Sequence, residues 1–280
     1  MLIDILDEVI PEVKWSIGDN LLSVFLVGSM ANEHYVLGRN NDFDLRFVVA
    51  EVTELAMDKI ATTMERLVHR LSSESLIVAA SDIIGPVRHH SGAISSLLLH
   101  YIVLTERALL DLPNLHRQSY SQNYLWLYGK DFVSPFKMLR YSADDICYSV
   151  EGIFYCIDML QRRKLKFQRW AKCDGGITIQ GFEEDMDDIT YAETLRYALI
   201  KSSNNCRTWL QWNEWDIDDD ICRVLEALRL DLDDALRDYI ASLVYRRYES
   251  CDLTAEATGS IMDLLKAMAS AVLRLDKEQD

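Results

Sequence analysis

The seven-residue run Leu21-Leu22-Ser23-Val24-Phe25-Leu26-Val27 stops at Gly28-Ser29, and Asp42-Phe43-Asp44 opens a second apolar run a short distance on. Each run reads as a buried strand, and the glycine marks a turn at the end of the first. Side chains alternate along a strand, so Asp42 and Asp44 face the same way, roughly 7 Å apart at their Cα atoms. A glycine at a strand end lets an anion approach the backbone closely. The N–H groups of the helical turn that follows point at such an anion, and Ser29 adds a hydroxyl. Two converging carboxylates suit the divalent ions used for in-line displacement at phosphorus, and a metal relieves their mutual repulsion. Arg46 is placed beside Asp44 on the opposite strand face, with a structural ion pair and a triphosphate contact both open.

The rest of the first half continues the alternation. Residues 3–17 and 51–72 carry helix-period apolar patterns, while 76–80 and 97–104 read as further strands. Four strands with helices between them predict a small mixed sheet covered on one face. After Pro135 the pattern becomes helical over 137–166, 188–213, 217–229, 232–248 and 254–275, with no further strand, and Asp216 and Thr254 suit two N-caps. Asp174-Gly175-Gly176 and the acidic stretch from Glu183 to Asp188 read as loop. The expected fold class is α+β, with a small mixed β-sheet domain over residues 1–135 followed by an all-α helical bundle over 136–280.

Composition narrows the partners. A net charge of −16 repels long polyanions and attracts a small cationic molecule. The cluster Arg162-Arg163-Lys164-Lys166-Arg169 is the feature that speaks for nucleic acid instead. No basic start followed by an apolar stretch resembles a signal peptide, and no apolar run is long enough to span a membrane, so a cytoplasmic protein is expected. The six cysteines form no C-x-x-C pair and read as reduced thiols, which argues against a zinc site.

The Gly28-Ser29-Met30-Ala31 turn and the Asp42-Phe43-Asp44 strand together resemble the nucleotidyltransferase superfamily that includes DNA polymerase β. The similarity extends to the streptomycin/spectinomycin type of aminoglycoside adenylyltransferase, in which a strand carries a carboxylate base and ends in a Ser-Asp-Ile turn. Glu74 followed by Ser81-Asp82-Ile83 is similar to that arrangement, as are Tyr101–Ala108 and Leu127-Tyr128-Gly129-Lys130-Asp131 to later elements of the group. The likeness covers residues 20–135. It implies a nucleotidyltransferase domain in which Asp42 and Asp44 are catalytic and hold Mg2+. Gly28, Ser29, Arg46 and Lys130 would bind ATP or another nucleoside triphosphate. Glu74 would be the general base, with Asp82 the other nearby acid and His100 at a strand position where some members carry one. The implied reaction moves a nucleoside monophosphate, AMP from ATP, to a hydroxyl of a small cationic acceptor such as an aminoglycoside. Two departures stand out: Asn32-Glu33-His34 follow the turn, and Asn41 replaces the serine that many members have before the first aspartate. A toxin-like enzyme acting on tRNA or protein, and a degenerate module that binds nucleotide without catalysis, are the competing readings.

Other residues have plainer readings. His89-His90 fit a polar hairpin, because neighbouring side chains on an extended segment point apart. His100 reads as a satisfied core histidine and Lys130 as either a phosphate contact or a surface lysine. Trp209, Trp212 and Trp215 form a stripe suited to packing, with base stacking as the alternative. The acidic stretch 183–188 is a solvated loop or the lining of a polyamine site, and Asp218-Asp219-Asp220 a helix start.

Overall fold

With apolar side chains on both faces, Leu21–Val27 forms an interior strand, β1, of a five-stranded mixed sheet. The computed structural model describes residues 2–31, 42–74, 77–85, 96–140, 142–174, 176–212, 220–245 and 255–277. The other strands are β2 (Asp42–Val49), β3 (Ile77–Ser81), β4 (Ser96–Thr105) and β5 (Tyr124–Gly129), in the order β3-β4-β2-β1-β5. β1 is antiparallel to β2 and β5, whereas β4 runs parallel to β2 and β3. β5 is an addition to the four expected strands. It is an edge strand with Leu125 and Trp126 largely exposed, so its apolar residues do not mark a buried element.

Helices α1 (Leu2–Ile17) and α2 (Glu54–Leu71) cover one face, where Val13, Ile60 and Met64 pack with Leu26, Leu45 and Leu99. Thr53 caps α2 by accepting from Ala56 N at 3.1 Å. The second face is not bare, as a sheet covered on one side would be. Phe25, Val27, Val48 and Leu104 form a smaller core there with Leu109 of α3 (Glu106–Leu110) and with Phe136. A short helix, α4 (Asn114–Gln122), leads into β5.

The later chain contains α5 (Ala143–Arg162), α6 (Asp188–Trp212), α7 (Ile221–Ala227), α8 (Asp234–Tyr245) and α9 (Ala255–Lys277). It also contains a hairpin of β6 (Lys164–Cys173) and β7 (Gly176–Asp185), where helix and loop were expected. Leu165 and Phe167 are buried on alternate positions of β6, a period of two that the charged neighbours mask. The acidic residues 183–185 belong to β7, not to a loop. The chain divides into two compact units: Met1–Leu112, His116–Leu139 and Phe167–Gly181 form one, and Pro113–Leu115, Arg140–Lys166 and Phe182–Asp280 the other. The second unit is helical apart from the hairpin's base, with α5, α6 and α9 packed together and Trp209 buried among them. Trp215, Asp216, Thr254, His89 and His90, and the Trp212 side chain, lie outside the described residues. Asp220 does start a helix: it caps α7, accepting from Cys222 N at 2.8 Å.

Asp145 joins two segments of this second unit. It is 1% exposed, accepts from Leu115 N at 2.7 Å and from Ser142 N at 2.9 Å, and completes a capping box at the start of α5. Asp145→Ala would leave both N–H groups unsatisfied. We expect it to lower unfolding free energy by about 3 kcal/mol in a urea titration; a change below about 1 kcal/mol would contradict that role.

The described cysteines are all free thiols. Burial pushes the Cys156 thiol up to about 11 and Cys206 to about 12, so both are inert core groups. Among the described residues no helix is long and apolar enough to cross a membrane.

Candidate functional site

Strand register brings together the residues separated in sequence. Across the sheet, Tyr124, Val27, Asp44, His100 and Ser81 are successive partners in one row. The row lies at the end of β1 where Gly28 turns the chain and at the beginning of β2. Gly28 has φ +83°, and its N–H donates to Asn123 O at 3.1 Å. Its own carbonyl accepts from Ala31 N at 3.1 Å, closing the turn. A Cβ on Gly28 would lie 3.1 Å from Asp44 Oδ2, so the glycine is required twice, for backbone conformation and for contact with the carboxylate. Ser29 opens the turn of 3-10 helix Ser29–Ala31, while its hydroxyl and Asn32, Glu33, His34 and Asn41 lie outside what the structure describes.

Asp42, Asp44 and Arg46 alternate onto one face of β2, the face opposite α1 and α2. Arg46 therefore stands on the same side as Asp44, not across the strand from it; a separation of two residues restores the face. It is 5% exposed and lies deeper in the sheet, with Nη2 3.6 Å from Asp44 Oδ1. Nη1 donates to Leu45 O at 3.0 Å, and the guanidinium stacks over the Tyr120 ring at 5.7 Å. Arg46 thus stands beneath Asp44 on the same face, with its guanidinium engaged by Asp44, Leu45 O and Tyr120.

His100 is the residue in Asp44's row on β4, and it is 2% exposed. Its Nδ1 shares a hydrogen bond with Asp44 Oδ1 at 2.7 Å, and its Nε2 donates to the Ile83 carbonyl at 2.8 Å. The satisfied core histidine of the sequence is satisfied by a site carboxylate. Only cross-strand register reveals that link, which no local pattern carries.

The remaining candidates are not brought to this row. Asp82 follows β3 and acts on Tyr101, whose phenol is held above its usual range by burial first and then by the charges of Asp82 and Glu65. Tyr101 belongs to the core beneath α1 and α2, the face opposite Asp44. Glu74 is exposed in the turn after α2, seven residues before Ser81. Lys130 follows β5 at the other end of β1: its N–H donates to Leu22 O at 3.0 Å, and its ammonium pairs with Glu106 at 2.8 Å. Among the described residues no third acid, histidine or cysteine joins Asp42 and Asp44 in a metal-binding group.

Four of the five cations in the basic cluster, which runs from the end of α5 into β6, pair with carboxylates. Arg162 pairs with Glu183 at 3.0 Å, Arg163 with Asp188 at 2.6 Å and Lys164 with Asp185 at 2.6 Å. Lys166 pairs with Asp158 at 2.5 Å. The acidic stretch and the basic cluster, read separately in sequence, are two sides of one hairpin base.

No sequence-family model matches the chain, and no curated protein matches it by sequence. Seven solved chains resemble it in structure. One is the spectinomycin adenyltransferase AAD(9) from Enterococcus faecialis, solved with ATP and spectinomycin, at 12% sequence identity and a TM-score of 0.56. The match covers 96% of this chain and 99% of that one. With the five-stranded mixed sheet, the Gly28 turn and the paired aspartates of β2 in place, this chain has the nucleotidyltransferase fold.

Proposed function

We propose that the protein transfers AMP from ATP to a hydroxyl of a small cationic acceptor such as an aminoglycoside. The observation that carries the reading is Asp42 and Asp44 on one face of β2, with Asp44 Oδ2 only 3.1 Å from where a Cβ on Gly28 would stand. The donor set fits magnesium, a hard cation commonly held by one or two carboxylates together with substrate phosphates. A magnesium ion held by Asp42 and Asp44 would neutralise charge developing on the reacting phosphate. The chain's own residues bind and orient. The N–H groups of Gly28 and Ala31 are engaged within the fold, so the phosphate cradle rests on those of Ser29 and Met30. Arg46 and His100 both approach Asp44 Oδ1 and hold its carboxylate in place.

The acceptor class is supported by the chain's acidity, with a net charge of −16, and by likeness to a protein solved with spectinomycin. The tRNA-modifying reading is weakened, because four of the five cations in the basic cluster pair with neighbouring carboxylates. A cytoplasmic location fits the same proposal. Incubation with Mg-ATP and an aminoglycoside panel including spectinomycin should release pyrophosphate and give an acceptor heavier by one adenylyl group in mass spectrometry. Labelling of tRNA or protein, with none of the panel, would favour the alternative enzyme. Failure to bind Mg-ATP in calorimetry would make the protein a degenerate member of its fold.

Glu74 is the base that the family resemblance implies, but the described residues do not bring it to Asp44's row. We therefore expect Glu74→Gln to change kcat by less than about threefold, against the 10²–10⁴-fold typical of a lost general base. A loss of that larger size would return the role to Glu74.

A further inference from the structure

Three segments of the first unit converge on His100. The first is the turn after β3, where Ser81 Oγ accepts from Ile83 N at 3.3 Å and the Ile83 carbonyl accepts from His100 Nε2. The second is the hairpin strand β6, whose Gln168 exchanges two backbone hydrogen bonds with Ile84, at 2.7 and 2.8 Å. The third is Asp44 itself. Trp170, two residues beyond Gln168, donates its indole N–H to Val103 O at 2.9 Å and fixes the same strand of the hairpin against β4.

We propose that His100 is a positioning residue that sets the orientation of the Asp44 carboxylate, and that the β6–β7 hairpin holds His100 in place through the Gln168–Ile84 bridge. The physical argument is one of degrees of freedom. A carboxylate on a strand end can rotate about χ2, and one hydrogen bond from a mobile ring would not stop it. A ring fixed at both nitrogens does. The Ile83 carbonyl is in turn fixed because its neighbour Ile84 is paired on both N–H and C=O. Partners of this kind, one step removed from a metal, typically alter metal affinity or activity by roughly 10–100-fold when lost. Arg46 Nη2 approaches the same Oδ1 at 3.6 Å, whereas the His100 bond at 2.7 Å is the shorter and so the tighter of the two restraints. The consequence for metal rests on Asp44 being a metal ligand; the coupling between hairpin and ring does not.

The test separates those two. Gln168→Pro removes the N–H that donates to Ile84 O at 2.8 Å and so breaks one of the two bonds of the bridge. Gln168→Ala keeps that N–H and is the control. In spectra of 15N-histidine-labelled protein, Gln168→Pro should shift the His100 ring resonances and Gln168→Ala should not. Titration with Mn2+ alone, followed by electron paramagnetic resonance, should show affinity lowered about threefold or more by Gln168→Pro and about tenfold by His100→Asn and by His100→Gln. Each of the last two keeps one of the ring's two hydrogen bonds, so a side chain that merely fills space would predict no such loss. Unmoved ring resonances in a folded Gln168→Pro protein, or equal shifts in Gln168→Ala, would overturn the coupling. If Gln168→Pro does not fold, wild-type Mn2+ affinity in both His100 variants would overturn the positioning role. Shifted resonances together with no Mn2+ binding by the wild type would instead uphold the coupling and reject the metal assignment.

Discussion

Asp44→Asn is expected to lower kcat/KM for nucleotidyl transfer by at least about 10³-fold, or roughly 4 kcal/mol of transition-state stabilisation. The asparagine is nearly isosteric, so the Gly28 contact and the β2 register survive. What disappears is one of two negative charges directed at the metal. The substitution also removes the charge beside Arg46, which is 5% exposed and 3.6 Å from Asp44 Oδ1. That separation is long for an ion pair, and Arg46 keeps its bond to Leu45 O and its stack on Tyr120. The loss of stability should therefore be modest, about 1–2 kcal/mol, and visible as a lower unfolding midpoint. Steady-state kinetics well below that midpoint separates the two effects. Activity within tenfold of wild type would remove Asp44 from the metal site.

Gly129→Ala is expected to be the most destabilising single-methyl change in the sheet, by about 3 kcal/mol or more. Gly129 has φ +74°, and a Cβ there would sit 2.0 Å from the Leu22 carbonyl oxygen. Main chain cannot swing aside as a side chain can, so either β5 leaves β1 or the Leu22 peptide twists out of register. Gly28→Ala makes the useful comparison. Its φ is similar at +83°, but the obstructing atom is the side-chain oxygen of Asp44 at 3.1 Å. We expect that variant to lose only about 1–2 kcal/mol of stability while displacing the carboxylate. Chemical denaturation of the two proteins side by side checks the order. Equal destabilisation would mean that Leu22 gives way more easily than the geometry implies.

Local patterning exposed the half of the site that is local. The Leu21–Val27 run, its glycine stop and the i, i+2 spacing of Asp42 and Asp44 each follow from a period-two backbone, so turn, strand and shared face could be read directly. The same rule places Arg46 on Asp44's face, and applying it to the third residue was needed as much as to the second. His100 was visible only as a histidine in an apolar strand, because its meaning depends on β4 lying next to β2, a pairing between residues 56 positions apart in the chain. Lys130 shows the same dependence on pairing: β5 runs antiparallel to β1, which puts Lys130 beside Leu22, at the other end of β1 from Gly28. The β6–β7 hairpin was hidden by its own chemistry. Its apolar alternation, Leu165 and Phe167, is interleaved with Lys164 and Lys166, whose partners lie far off in sequence or on another element, Asp185 and Asp158. A strand whose charges pair with carboxylates elsewhere in the fold reads, one segment at a time, as a basic patch and an acidic loop.

The central claim is transfer of a nucleotidyl group at the Asp42–Asp44 pair, and the position of the label decides it. Parallel reactions with ATP labelled at the α- or the γ-phosphate, magnesium and an aminoglycoside acceptor should carry only the α-label into the acceptor. The γ-label should leave as pyrophosphate, and Asp44→Asn should transfer neither. Transfer of the γ-label would show a kinase reaction, and α-label transfer undiminished in Asp44→Asn would place the chemistry elsewhere in the protein.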